Sequence, residues 1–364
     1  MGRRYHAGMI PIAVPSLWFY LLPLLTWPAL LALAVWAVGL WRRPGWRARL
    51  RAHPLRALLL FLPLAWIAVQ GLRFYYFLWE FEREQALIEA QRHIVLDEAR
   101  ELHGLAMPAG TALTLRREGR PESFIEARFP APVLIEGLQV GRLQRHVSSR
   151  YDPKTYDETG FDWNSLIVYG EDAQPVQGWL CDSSQGVGFE PDEAGLPRFE
   201  RCILAPGNEG ALAQAGVELR ASTGLVYIDG HVDPDRWTLR WQDGALLSLQ
   251  GMWLAGASLR LDAQRDFYAL DAGALVCPYR LGPMAYPAGT RVKTVAREEP
   301  GRPWVFRAPP ETPARQDGHG DVDASQGVIQ DAGGQVIRIA PAASLGLFDR
   351  MQLGDPPPRP ACPR

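Results

Sequence analysis

The densest run of metal-capable side chains is Asp317-Gly318-His319-Gly320-Asp321-Val322-Asp323-Ala324-Ser325-Gln326-Gly327. Asp317, His319, Asp321 and Asp323 fall at alternate positions. Alternate side chains of an extended strand share one face, so these four can present oxygen and imidazole donors to a calcium ion. The run departs from the EF-hand loop, because the glycine of the sharp turn and the distal glutamate are displaced. The competing reading is a solvated Gly/Asp loop.

Four cysteines are the second chemical feature: Cys181, Cys202, Cys277 and Cys362. An even number points to disulfides in an oxidising compartment. Cys181 and Cys202 flank a turn-rich stretch, and their bridge would close a loop of roughly 20 residues, contributing about 3 kcal/mol in the chain-entropy account. Cys277 and Cys362 then remain to pair and would tie a proline-rich tail back to its domain. The alternative is a buried Cys277 and a free Cys362. No C-x-x-C spacing supports zinc.

Motifs of catalysis do not occur. The chain has no G-x-S-x-G elbow, H-E-x-x-H pair, P-loop or G-x-G-x-x-G opening a helix. Its seven histidines are scattered, and no pair of carboxylates stands apart from the rest. Two functional classes follow. One is a binding or protective protein that presents a β surface to an envelope protein or a cell-wall ligand. The other is an envelope hydrolase with a metal or carboxylate site at Asp317 to Asp323.

The elements that must position these residues begin with two apolar runs, Ile12 to Trp41 and Ala57 to Trp79. A bilayer core about 30 Å thick needs roughly 20 apolar residues in helix, and both runs meet that length. The first run is longer than a signal-peptide core, carries Pro15, Pro23 and Pro28 and lacks a small-residue cleavage site, so a retained anchor is expected. Residues 1–79 hold nine arginines and no Asp or Glu, which leaves 29 basic against 40 acidic residues in the remainder. That acidic remainder has no basic stripe to neutralise phosphates, which argues against nucleic acid as a partner.

Six of the nine arginines crowd into the link from Trp41 to Arg56. The positive-inside rule puts such a link in the cytoplasm; a tail held inside by Arg3 and Arg4 would reverse the orientation. Trp18, Trp41, Trp46 and Trp79 suit interfacial belts, and Arg73 can snorkel to the outer interface. Only two of the 38 basic residues are lysines, Lys154 and Lys293, a usage that fits a GC-rich bacterial genome. The expectation is a bacterial inner-membrane hairpin in the lipid bilayer with both ends in the periplasm.

After Trp79 the pattern stays helical. Phe81, Ile88, Val95 and Leu102 recur every seven residues, with Glu84, Gln91 and Glu98 between them, so a stalk is expected over 80–104. Its stripe can serve as a homodimer seam or pack on the protein's own domain. Beyond Pro108 alternation replaces helical spacing, as in Thr111–Leu115, Trp237–Trp241, Ser258–Leu261 and Gln335–Ile339. Turn signals separate these runs, among them Arg117-Glu118-Gly119, Asp229-Gly230, Gln242-Asp243-Gly244 and Ala332-Gly333-Gly334. The spacing predicts a mainly antiparallel all-β domain over 105–353, as a hairpin array, sandwich or barrel.

Two echoes suggest divergent duplication of a hairpin unit. Pro108-Ala109-Gly110-Thr111 returns as Pro287-Ala288-Gly289-Thr290. Ile135-Glu136-Gly137-Leu138 is matched by Val176-Gln177-Gly178-Trp179 and Leu249-Gln250-Gly251-Met252. Tyr151 to Gly160 reads as a polar loop, Glu298 to Gly320 as a long exposed connection, and 354–364 as an extended tail.

Overall fold

The protein is described by a computed structural model over residues 17–210, 212–222, 230, 232–242, 244–295, 303–347 and 360–363. Arg3, Arg4, Asp229, Asp243, residues 296–302 and the tail from 348 to 359 lie outside the described residues, as does the Trp18 side chain. The chain divides into two units, 1–92 and 93–364.

The first unit is helical: α1 (Leu17–Arg42), α2 (Pro44–Ala52) and α3 (Pro54–Arg92). At 1.5 Å per residue, α1 is about 39 Å long and α3 about 58 Å, each more than an apolar bilayer core of about 30 Å. α1 and α3 run antiparallel, since Pro23 meets Tyr75, Thr26 meets Gly71 and Trp36 meets Phe61. Small residues make the seam. Thr26, Ala29 and Ala68 are buried, and a Cβ on Gly71 would lie 1.7 Å from Thr26 Oγ1. Small side chains here let the two helix backbones approach closely. Leu24, Trp27, Leu31, Leu59 and Leu60 face outward and are exposed.

The arginine-rich link is a helix rather than a loop. Pro44 and Pro54 sit at the first positions of α2 and α3, where a missing N–H costs nothing. Arg47 donates from Nε to the Leu40 carbonyl and from Nη2 to the Trp41 carbonyl, both at 2.6 Å. These bonds satisfy acceptors left open at the end of α1.

The expected stalk over 80–104 is shortened: α3 stops at Arg92, and His93–Val95 is a strand. Ile94 pairs with Leu113 and His93 with Thr114, while Leu96 is buried. A β-branched pair feeding a sheet edge here overrides heptad spacing. The seam therefore loses Val95 and Leu102 to the β unit. Phe81 and Leu87 stay on α3, exposed.

The second unit is mainly antiparallel β. Among the described residues, one 16-stranded sheet runs in chain order from His93–Val95 to Val336–Pro341, with Leu246–Leu249 branching off Met252–Asp262. Its longest members, Phe124–Ile135, Leu138–Tyr151 and Glu158–Tyr169, are neighbours. Short ribbons interrupt the meander: Arg100–Leu102 with Leu105–Met107, Ala173–Val176 with Trp179–Asp182, and a four-stranded group from Tyr279–Leu281 to Gly320–Val322. Met107, Trp179, Cys181, Met284 and Tyr286 of the ribbons are buried in the same core as Leu113, Leu143, Leu219, Leu259 and Phe306 of the sheet. The ribbons thus supply the apolar cover that one sheet face needs.

Sequence explains the turns. Glu136-Gly137, Gln177-Gly178 and Gln250-Gly251 each have positive φ at both residues, and so does His103-Gly104. Two central residues in the left-handed region define the type I′ hairpin, which is why glycine takes the second place. The echo between the Pro-Ala-Gly-Thr sites is structural as well. Thr111 Oγ1 donates to Pro108 O at 2.7 Å, and Thr290 Oγ1 donates to Pro287 O at 2.7 Å. Gly110 N donates to Leu96 O and Gly289 N to Leu275 O, again both at 2.7 Å. The following strands match in register: Ala112 faces Arg128 as Arg291 faces Arg307, and Leu113 faces Ala127 as Val292 faces Phe306. Every one of these residues is displaced from its counterpart by 179 positions.

The span from 303 to 320 is not an exposed connection. Trp304–Arg307 and Ala314–Gln316 are strands, and Trp304, Val305 and Phe306 are buried. Pro303, Pro309, Pro310 and Pro313 lie just outside those strands, where a missing N–H breaks no ladder. Asp152 turns the chain between strands Leu138–Tyr151 and Glu158–Tyr169, accepting the Lys154 and Thr155 amides at 2.7 and 3.1 Å.

Candidate functional site

The run Asp317 to Asp323 does not form one face. Residues 317–319 are the turn between strands Ala314–Gln316 and Gly320–Val322, so Asp317 and Asp321 belong to different parts of a hairpin. Asp317 Oδ2 takes a 2.6 Å ion pair from Arg280 Nη1. Asp321 Oδ1 pairs with Arg315 Nε at 3.2 Å. His319 Nδ1 lies 3.2 Å from the Asp317 carbonyl. Asp323 accepts the Ser325 amide at 2.7 Å, and the Ser325 hydroxyl and amide hold its carboxyl below the usual range. Among the described residues no group of three or more His, Cys, Asp or Glu is placed to hold a metal ion.

The cysteines pair as Cys181–Cys202 and Cys277–Cys362. The first fastens the ribbon strand Trp179–Asp182 to the sheet strand Pro197–Ile203. Asn208 reinforces that join by mimicking a strand partner: its Oδ1 accepts the Leu180 amide and its Nδ2 donates to the Leu180 carbonyl, both at 2.8 Å. The second bridge returns Cys362 to the start of the ribbon at Tyr279.

The site that the fold does assemble is a charged cleft of about 310 Å³, with Glu190, Glu200, Arg220, Thr238, Arg240 and Arg260 in its wall. Strand register builds it. Arg201 faces Arg220, Arg220 faces Thr238, and Thr238 faces Arg260. Buried Leu219, Leu239 and Leu259 lie between these positions on the opposite face. Like charges directly across a sheet repel, and Glu218 offsets this by lying 2.8 Å from Arg220 and 3.8 Å from Arg201.

Arg260 is the centre of the cleft. Its Nη1 lies 2.6 Å from Asp233 and 3.9 Å from Asp235, and its Nε 2.9 Å from Asp271. Tyr268 donates its hydroxyl to Asp233 at 3.1 Å, and the guanidinium carbon sits 5.2 Å from the Tyr268 ring centre. The Arg260, Asp233 and Asp235 side chains are only 18%, 10% and 10% exposed, whereas Asp271 is 42% exposed. Burial works against the Arg260 charge, but the bond to Asp233 and the fields of Asp271 and Asp235 outweigh it and raise its pKa. Burial pushes the Asp271 carboxyl up, despite the opposing pull of Arg260. Burial likewise lowers Lys293, which lies within the field of Asp271.

This cleft escapes a linear reading. The only signal is alternation, in Glu218-x-Arg220, Asp233-x-Asp235 and Ser258-x-Arg260, which fits any solvated strand face. Its wall presents fixed charges of both signs, several of them held in place by ion pairs with their neighbours. Comparison with protein-family models, curated proteins and solved structures returns no match for this chain.

Proposed function

We propose that the chain is a membrane-anchored binding protein of the bacterial envelope. In this reading α1 and α3 span the inner membrane, the arginines of α2 lie on the cytoplasmic side, and the β unit stands in the periplasm. Outward-facing apolar side chains on both helices support the anchor, the arginine bias supports the orientation, and two disulfides support an oxidising compartment.

The observation that carries the binding role is the Arg260 cleft. Its wall combines Arg220, Arg240 and Arg260 with Glu190, Glu200, Asp233 and Asp235. Such a surface complements a ligand with both charges, an envelope-protein loop or a cell-wall peptide. A photoreactive residue at Thr238, activated in intact cells, should capture such a ligand, and Arg220→Gln with Arg240→Gln should abolish the capture. Crosslinks to the protein alone, or capture unchanged in the double variant, would sink the proposal.

A further inference from the structure

We infer that the turn of the helical unit is a binding site for an anionic phospholipid. The inference rests on the reading that α1 and α3 lie in a membrane. A cavity of about 460 Å³ lies among the C-terminal half of α1, α2 and the start of α3, walled by Trp36, Trp46, Leu60, Phe61, His53 and Arg56. Trp36 and Phe61 form one wall, with ring centres 5.5 Å apart. Trp46 forms another, and it packs there because residue 39 is glycine: a Cβ on Gly39 would come 2.4 Å from the Trp46 ring.

The cavity has two chemical ends. Trp36, Leu60 and Phe61 offer an aromatic and aliphatic wall of the kind that accepts an acyl chain. His53, the residue before α3, and Arg56, in its first turn, place imidazole and guanidinium at the start of that helix. Residues 1–79 contain no Asp or Glu, so the sequence of this region supplies no carboxylate to Arg56. The first acid along α3 is Glu80, 24 residues beyond Arg56 and about 36 Å away at 1.5 Å per residue. Arg47, by contrast, is committed to the carbonyls of α1.

A cationic end beside an apolar slot, at the arginine-rich margin of a membrane hairpin, matches a phosphodiester with an attached acyl chain. Basic pockets between membrane helices take anionic headgroups for this reason. A free phosphate would leave the apolar wall empty, and a zwitterionic headgroup would bring its own cation to Arg56. The occupant is therefore an anionic phospholipid, its phosphate at Arg56 and His53 and the start of one acyl chain along Trp36 and Phe61.

The test uses the full chain in neutral detergent, with phosphatidylglycerol and phosphatidylcholine as probes and native mass spectrometry counting retained lipid. The wild type should prefer phosphatidylglycerol. Arg56→Gln should cut that preference about five-fold, the effect of one interfacial cation. Gly39→Leu, which drives Trp46 into the cavity, should lower retention of both lipids. Equal retention of the two lipids by the wild type, an unchanged preference in Arg56→Gln, or displacement by millimolar inorganic phosphate alone would overturn the site. Alkaline carbonate extraction of membranes separates this failure from failure of the anchor. A chain that washes off refutes both readings, whereas one that stays in the pellet without lipid preference refutes only the lipid site.

Discussion

Thr111→Val and Thr290→Val should each cost about 1 kcal/mol, and together about 2. Each threonine is completely buried and donates its hydroxyl to a proline carbonyl three residues earlier at 2.7 Å. Valine keeps the β-branched shape that suits the strand and removes only that hydrogen bond. The proline carbonyl is not orphaned, because the threonine's own amide still reaches it, at 3.2 Å in the first copy and 3.3 Å in the second. The loss is therefore one net hydrogen bond, about 1 kcal/mol, without the further penalty of an unsatisfied buried group. The two strands are ten steps apart in the sheet order and share no bonding partner, so the costs should add to within about 0.5 kcal/mol. The assay is urea unfolding of the full chain, followed through its β signal. With a slope near 3 kcal/mol/M each variant should move the midpoint by about 0.3 M. A difference of more than about 1 kcal/mol between the single variants, or a double variant far from their sum, would refute the view that the turns are equivalent, independent copies.

Arg260→Met should destabilise the β unit by about 3–5 kcal/mol, because it strands the nearly buried carboxylates of Asp233 and Asp235. Asp271→Asn, at the exposed end of the cluster, should cost under about 1 kcal/mol; equal effects in urea midpoints would contradict the assigned burial. Alanine at both Cys181 and Cys202, which are 21 positions apart, should cost about 3.3 kcal/mol, and at both Cys277 and Cys362, 85 apart, about 4.6 kcal/mol. The reverse order on denaturant titration would show that loop length is not what sets their contribution. Asp182 accepts the Ser184 hydroxyl at 2.6 Å and Gln185 Nε2 at 2.7 Å, with the Ser184 hydroxyl the main cause of its lowered pKa. A carboxyl depressed on folding stabilises above its unfolded pKa and loses that contribution as pH falls through the folded value. Asp182→Ala should thus cost roughly 1 kcal/mol at neutral pH, and the gap to wild type should begin to narrow only as pH falls below the ordinary value of 3.8; a gap that widens with acid would contradict the linkage.

What the sequence made legible, and what it concealed, follows the range of the interactions. The paired apolar runs, the x-Gly turns and the Pro-Ala-Gly-Thr sites depend on residues near each other in the chain, so composition and spacing report them. The helix end at Arg92 was hidden because Ile94 and Val95 continue an apolar period of seven while their partners, Leu113 and Ala112, lie far along the chain. The aspartate motif misled for a related reason: alternation implies one face only while the strand continues, and a turn at 317–319 breaks it. Arg145 is the extreme case. Nothing local marks it, yet it is buried, donates to the Glu122 and Phe124 carbonyls at 2.7 and 3.3 Å and lies 3.8 Å from the Phe124 ring centre. Burial lowers its pKa to about 10. Arg145, buried, and Arg260, partly buried, are thus two guanidinium groups with opposite solutions. Arg145 is met by neutral carbonyls and a ring face and is closed off as structure. Arg260 is met by three carboxylates at the wall of an open cleft, where the surplus of negative charge and the neighbouring Arg220 and Arg240 still face outward. That difference in what surrounds the charge, rather than the charge itself, is the reason to look for a ligand at Arg260 and not at Arg145.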